Sequence, residues 1–184
     1  MNVGTVVLLP AAELPATPFE PWGDQRSIAG GLVGYGVNTY VVPAPEPADP
    51  GLDLKTATAH WVAHIALNLT QAQPIKPILL VAHGAAGQLL PAIGFAQKAS
   101  RRPVAGYVVI DGQLPKVGAA DWPDAPVTFI RTNNANDAAS SGSGTLPMAG
   151  EVEPQDPARV AELRGWTVYS DADPVEVLRE LFQN

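Results

Sequence analysis

The sequence contains no cysteine, which excludes disulfides, thiolate metal sites and cysteine nucleophiles. Charge is also scarce, because charged residues make up 16% of the 184 positions and the formal net charge is -7. Such a chain lacks the clustered Lys and Arg that would neutralise phosphates, so we expect no nucleic-acid partner. The one adjacent basic pair, Arg101-Arg102, precedes Pro103 and a predicted strand, and we interpret it as part of a solvated loop in preference to a phosphate-binding site.

Long hydrophobic runs are absent as well. The first apolar run, Thr5–Leu9, is ended by Pro10 and has no basic residue before it, so neither a leader nor a membrane span is expected. We therefore expect a cytoplasmic protein without a membrane partner. Hydrophobic residues nonetheless make up 46% of the chain, which is enough to fill a core. Residues 1–184 are expected to form a single domain.

Short apolar segments rich in β-branched residues predict strands. They are Thr5–Leu9, Val37–Val42, Ile78–Ala82, Gly106–Ile110, Val127–Arg131 and Thr167–Ser170. Helical spacing of apolar residues is found between strands, as in Asp53–Gln71 and Ala85–Ala99, and a last helix is predicted from Asp173-Pro174 onward. This alternation predicts an α/β fold with a doubly wound, mainly parallel sheet and helices on both faces.

Two segments predict irregular structure. Pro43–Gly51 contains four prolines, and Asn133–Gly150 is rich in Asn, Ala, Ser and Gly. The alternation of strands and helices continues on both sides of each segment, so neither is interpreted as a linker between domains. Few residues separate Leu114 from the strand at Val127, which leaves no room for a helical cap.

A tight turn of small residues follows the third predicted strand. The strand Ile78–Ala82 runs into His83-Gly84-Ala85-Ala86-Gly87, after which a helix is predicted. This turn resembles the nucleophile elbow of the α/β-hydrolase family, whose elbow commonly reads Gly-His-Ser-x-x-Gly. Small neighbours are needed there because the central residue adopts a strained backbone conformation. In this sequence Gly84 occupies the position of the serine.

The resemblance extends along nearly the whole chain. Val6–Pro10 is similar to the family's first core strand, which leads into the oxyanion loop. Gly106–Pro115 is similar to the strand after the elbow helix, and Gly165–Val168 to the final strand. The resemblance implies an α/β-hydrolase-like sheet of about six strands without a cap domain.

The departures from the family pattern lie in the catalytic triad. In the family the elbow serine attacks an acyl carbon, and a histidine after the last strand accepts its proton. Gly84 has no side chain, and no histidine follows His83 in this sequence. Asp111 and Asp137 are candidates for the acid, but each is more simply a turn or cap residue without a histidine to orient. These departures predict a non-hydrolytic member of the fold, a pseudo-hydrolase.

The resemblance also implies a binding site that survives without the triad. The backbone N–H groups of Ala85 and Ala11 can polarise a carbonyl without any particular side chain, although they could instead only cap the helix or bind water. Trp22 and Trp122 fall in loops expected near the edge of the sheet where the strands end, while Tyr107 is expected in the core. Together with Gly84, these N–H groups and tryptophans predict a site for a small apolar carbonyl-bearing molecule or a protein partner.

Two other functions stay open at this point. One is an enzyme without a covalent intermediate, such as a cyclase, isomerase or lyase, in which His83 or Asp111 acts as a general acid or base. A packing role is favoured for His83. The other is an active serine esterase that uses a loop residue in place of the elbow, with Ser140, Ser141 and Ser143 as the candidates. No cofactor is predicted, and a homo-oligomer is allowed.

Two histidines have the spacing of a metal-binding pair. His60 and His64 are four residues apart on a predicted helix. The residues between them are Trp61-Val62-Ala63, so the glutamate of a metalloprotease motif is missing and no third ligand can be named. We interpret the spacing as a coincidence on one helix face and predict no metal.

Overall fold

The computed structural model describes residues 3–14, 25–46, 51–118, 121–133 and 156–183. The described strands are β1 Thr5–Leu8, β2 Thr39–Val41, β3 Ile78–His83, β4 Val104–Ile110, β5 Val127–Ile130 and β6 Thr167–Tyr169. They form one six-stranded sheet in the order β2-β1-β3-β4-β5-β6. Each neighbouring pair is parallel, which confirms the predicted parallel sheet.

Four of the described helices lie in connections between these strands, and the fifth follows the last strand. They are α1 Gln25–Gly34, α2 Leu54–Ala72, α3 Leu90–Ala99, α4 Pro157–Leu163 and α5 Pro174–Gln183. A 3₁₀ segment, Gly84–Leu89, connects β3 to α3. The prediction of one continuous α-helix from Ala85 is therefore wrong at its start. The α-helix begins only at Leu90, where the missing N–H of Pro91 is tolerated in the first turn.

Helices cover both faces of the sheet because successive strand residues point to opposite sides. Val7 and Leu80 belong to one buried cluster, which also contains residues of α2, α3 and α4. Val6 and Leu79 belong to the other, which contains residues of α1 and α5. The central strands are thus buried on both sides, which explains their continuous apolar sequences and confirms the predicted α/β class.

The strand order places two loops side by side at the edge where the strands end, here called the carboxyl edge. β1 lies between β2 and β3, and Leu8 of β1 is in register with Val81 of β3. The chain therefore adds β2 on one side of β1 and β3 on the other. Open α/β sheets bind ligands at such a switch point, which here is flanked by the loop after β1 and the turn after β3.

The connection between β4 and β5 contains no cap helix in its described part. The described residues between β4 and β5, 111–118 and 121–126, form no helix. Across the described ranges, no helix is both long and apolar enough to cross a membrane.

The packing of α3 on the sheet can be tested at Gly94. A Cβ added to Gly94 would lie 2.3 Å from the hydroxyl oxygen of Tyr107, whose side chain is 0% exposed. That hydroxyl donates a hydrogen bond of 2.6 Å to Asp124, so the ring cannot easily move. We expect Gly94→Ala to lower the free energy of unfolding by about 1–3 kcal/mol, measured by urea denaturation.

Gly30 of α1 offers the matched control. Nothing lies within 4 Å of a Cβ added there, and the residue is exposed. Gly30→Ala should therefore raise the free energy of unfolding by about 0.5–1 kcal/mol through helix propensity alone. A loss of stability of the same size in both variants would contradict the packing explanation.

Candidate functional site

The turn at the end of β3 has the backbone conformation that an elbow requires. Gly84 has φ +55°, in the left-handed region that favours glycine. At this residue the chain leaves β3 and enters the 3₁₀ segment. Gly84, Ala85 and Ala86 are all buried. The position that carries the nucleophile in the resemblance is thus an elbow turn without a reactive side chain.

This turn packs against the backbone of the loop after β4. The Gln113 N–H donates to the Gly84 carbonyl at 3.0 Å. A Cβ on Gly112 would lie 2.8 Å from that same carbonyl oxygen, and a Cβ on Gly87 would lie 2.3 Å from the Gln113 carbonyl oxygen. Both positions therefore require glycine. Sequence reasoning identified Gly87 as part of the turn but missed Gly112. The available signal was that Gly112 directly follows Asp111 at the end of a predicted strand, where a turn is expected.

Two of the predicted binding residues lie at the carboxyl edge. The first N–H groups of a helical segment have no acceptor within that segment, and Ala85 lies in this first turn. Ala11 follows β1, the neighbour of β3 in the sheet. Joint binding of a carbonyl by the N–H groups of Ala11 and Ala85 stays a prediction.

Asp111 is engaged by the loop after β5. Its Oδ1 accepts a hydrogen bond of 2.8 Å from the Thr132 N–H, and its Oδ2 accepts from the Thr132 hydroxyl. Asp111 has φ +42°, a turn conformation that Asp tolerates. Because both carboxylate oxygens are occupied, this geometry favours the turn-residue interpretation of Asp111. His83 is half-buried beside Ile110, and its acid-base role stays a prediction.

Trp122 does not lie beside the elbow turn. Its ring centroid is 5.3 Å from that of Tyr107 and 5.6 Å from that of Trp166, at the amino-terminal ends of β5 and β6. The expected location at the carboxyl edge is wrong, because the segment leads into β5 and so reaches the opposite edge. Tyr107 is fully buried, as expected, and burial together with the neighbouring Asp124 raises its pKa above the usual range.

Other predicted residues cannot be placed. Trp22 and Asp137 lie outside the described residues, as do the three candidate serines, Ser140, Ser141 and Ser143. The predictions made for them stay predictions.

A groove of about 620 Å³ opens beside Ala11. Loops after β1 and β2 form two of its walls and the first half of α2 forms the third; the lining residues are Ala11, Glu13, Ala44, Pro45, Glu46, Leu52, Ala57, His60, Trp61 and His64. Trp61 is 4% exposed, and its indole N–H donates to the Ala11 carbonyl at 3.3 Å. This bond holds the loop after β1 against α2. The volume is typical of small-molecule sites.

The two histidines of α2 both line this groove, which sequence reasoning missed. The signal was available, because they lie within the first eleven residues of a helix that begins at the carboxyl edge. His64 Nε2 lies 3.1 Å from the Pro43 carbonyl oxygen and 3.0 Å from Asn68 Nδ2, so its ring connects α2 to the loop after β2. His60 is exposed one turn earlier. Within the described ranges, no three His, Cys, Asp or Glu side chains are grouped to hold a metal.

Comparisons with known proteins extend to the fold alone. No family model matches the sequence, and no curated protein matches it. Among solved structures, the fold is similar to a crystal structure of the NocB thioesterase domain in covalent complex with a fluorophosphonate nocardicin G analog. The similarity has a TM-score of 0.49 at 14% identity and covers 99% of this chain and 90% of that chain.

Because Asp111 accepts hydrogen bonds from Thr132, we expect two substitutions of Asp111 to lower the free energy of unfolding by different amounts. Asp111→Ala should lower the free energy of unfolding by about 1–3 kcal/mol, because two donors lose their acceptor and alanine is disfavoured at positive φ. Asp111→Asn keeps an acceptor oxygen and tolerates positive φ, so it should cost less than about 1 kcal/mol. Guanidinium denaturation measures both. Equal losses in the two variants would show that the contact with Thr132 does not stabilise the turn.

Proposed function

We propose that this protein is a non-hydrolytic member of the α/β-hydrolase-like folds that binds a small, largely apolar, carbonyl-bearing molecule at the carboxyl edge. The observation that carries the proposal is Gly84, a positive-φ turn between β3 and a helical segment with no nucleophilic side chain. Backbone N–H groups at such a turn can bind a carbonyl oxygen without forming a covalent bond.

The groove beside Ala11 supports a small molecule as the occupant in preference to a protein partner. Its lining includes the apolar side chains of Leu52, Ala57 and Trp61, which suit a hydrocarbon chain. A concave site of this size encloses a small ligand, whereas protein partners generally use broader surfaces. Glu13 and Glu46 are exposed at the groove and disfavour an anionic ligand. The chemistry therefore favours a neutral or cationic molecule.

A second candidate function is an enzyme that uses non-covalent acid-base chemistry, such as a cyclase, isomerase or lyase. The observation that favours it is the presence of His60 and His64 on the groove wall, since the ring nitrogens of an imidazole can donate or accept a proton. His60 is the better candidate for proton transfer, because the ring of His64 contacts Pro43 and Asn68. The test is whether the protein converts a bound ligand to a product. If His60→Ala abolishes this conversion and leaves ligand binding intact, the enzyme function is favoured over binding alone.

Filling the groove should prevent ligand binding. N-alkyl acetamides of increasing chain length serve as probes in isothermal titration calorimetry, and we expect the affinity to rise about fourfold per added methylene. Ala44 is exposed and lines the groove, so Ala44→Trp should weaken the binding of the longest probe by at least about tenfold.

The control for this experiment is Ala59→Trp. Ala59 is exposed on α2 but does not line the groove, so its substitution adds the same side chain elsewhere. Binding in this variant should match the parent protein. The proposed site would be contradicted if both tryptophan variants lost the same amount of affinity, or if none of the probes bound to the parent protein.

Restoring the elbow serine alone should not restore ester hydrolysis. The chain has three histidines, and none follows β6 to accept the serine proton. We expect Gly84→Ser to hydrolyse p-nitrophenyl acetate with kcat/KM within about tenfold of the parent background. A much larger rate in this variant, lost when His83, His60 or His64 is also replaced by alanine, would show that a histidine reaches the turn. The claim that the base is missing would then be wrong.

A further inference from the structure

A second pocket lies at the opposite edge of the sheet, where the strands begin. It has a volume of about 490 Å³. The residues that line it belong to the end of α2, the start of β3 and the end of α3; they are Gln73, Pro74, Lys76, Ile78, Ser100 and Arg102. None of them belongs to the groove beside Ala11, so this pocket, here called the basic pocket, is separate from the site proposed above.

The basic pocket concentrates positive charge in an acidic protein. The net charge is -7, and only 11 of the 184 residues are Lys or Arg, yet Lys76 and Arg102 both line this one cavity. In the described part of the chain, the ion pairs are Lys98–Asp121 and Arg131–Asp156. Neither pair includes a cation of the basic pocket, so no described carboxylate neutralises Lys76 or Arg102.

Arg102 also has a buried donor. Its Nη1 is buried and has no hydrogen-bond partner among the described residues, which is unfavourable for a cationic N–H group. Both arginines lie in a loop, as predicted, but only Arg101 is exposed, whereas Arg102 is partly buried.

The nearby backbone carbonyls do not supply the missing acceptor. The last carbonyls of α3 accept hydrogen bonds from the backbone N–H groups of the residues that follow; the acceptors are Ala96, Gln97 and Lys98, and the donors are Ser100, Arg101 and Arg102. The carbonyl oxygens of Ile75 and Lys76 lie 2.5 and 2.7 Å from the position of a Cβ on Gly4, so they face that residue. The guanidinium of Arg102 is therefore not needed to cap α3.

We propose that the basic pocket binds an anionic oxygen group, a phosphate or a carboxylate, carried by a small molecule. Arg102 offers planar N–H donors, Lys76 a point charge and Ser100 a hydroxyl donor, which is a donor set suited to such oxygens. The cavity is larger than one such group, and Pro74 and Ile78 form an apolar part of its wall. The ligand is thus an organic anion whose charged end contacts Arg102.

The test is a heteronuclear NMR titration of the full chain with inorganic phosphate, with sodium chloride at matched ionic strength as the reference. We expect saturable shifts at the amides of Ser100 and Arg102. Arg102→Gln and Lys76→Gln should each raise the Kd by about tenfold or more, because each removes a charged donor. Arg101→Gln changes the net charge equally at an exposed neighbour and should raise the Kd less than about twofold.

The outcomes distinguish a specific anion-binding site from nonspecific electrostatic attraction of anions to basic residues. A parallel titration with acetate identifies the group, because tighter phosphate binding assigns a phosphate and tighter acetate binding a carboxylate. Equal weakening by Arg101→Gln and Arg102→Gln, or the absence of saturable shifts with both anions into the millimolar range, would overturn the proposal. If Arg102→Gln does not fold, the comparison of Lys76→Gln with Arg101→Gln decides the question.

Discussion

The backbone of the elbow turn lies directly against the backbone of the loop after β4, and the geometry of the carboxyl edge depends on this contact. Gly84 turns with positive φ and accepts a hydrogen bond from Gln113, while Gly87 and Gly112 leave no space for a Cβ. Backbones can approach this closely only where side chains are missing. Packing thus requires glycine at Gly87 and Gly112, whether or not a nucleophile occupies the turn.

This constraint sets the shape of the turn independently of any chemistry at Gly84. The turn keeps N–H groups at the start of the helical segment even though its first residue has no side chain. At the neighbouring strand, the bond from Trp61 to the Ala11 carbonyl holds the loop after β1 against α2 and so shapes one wall of the groove. With glycine at the turn no acyl-enzyme can form there, which is why we propose binding through N–H groups instead.

The fold could be predicted because its strands are buried on both faces. Continuous apolar runs such as those of β3 and β4 identify central parallel strands, and their predicted bounds differ from the structure by two residues at most. The helices α1 and α4 were not predicted individually. α1 contains Gly30, Gly31 and Gly34, which weaken the helical pattern, and α4 spans only seven residues.

The residues of the candidate site were harder to predict from the sequence than the fold. A segment that connects two parallel strands runs from one edge of the sheet to the other, so the sequence alone does not say at which edge a given loop residue lies. Trp122 was placed at the wrong edge for this reason, although its packing on Tyr107 and Trp166 is well defined. Conversely, the spacing of His60 and His64 on one helix face is interpreted from the sequence as a coincidence, while the structure brings both to the groove beside Ala11. The position of Arg102 at a cavity could not be predicted either, because the cavity forms where α2, β3 and α3 meet and no local sequence pattern describes that contact.

The most direct test of the central claim, that the turn at Gly84 binds without covalent chemistry, is the intact mass of the protein after incubation with an alkyl fluorophosphonate. These reagents label an activated serine nucleophile, and Gly84 offers no atom to label. The account predicts an unchanged mass under conditions that fully label an active serine hydrolase. A stoichiometric adduct, located to a single serine by peptide mapping, would contradict it.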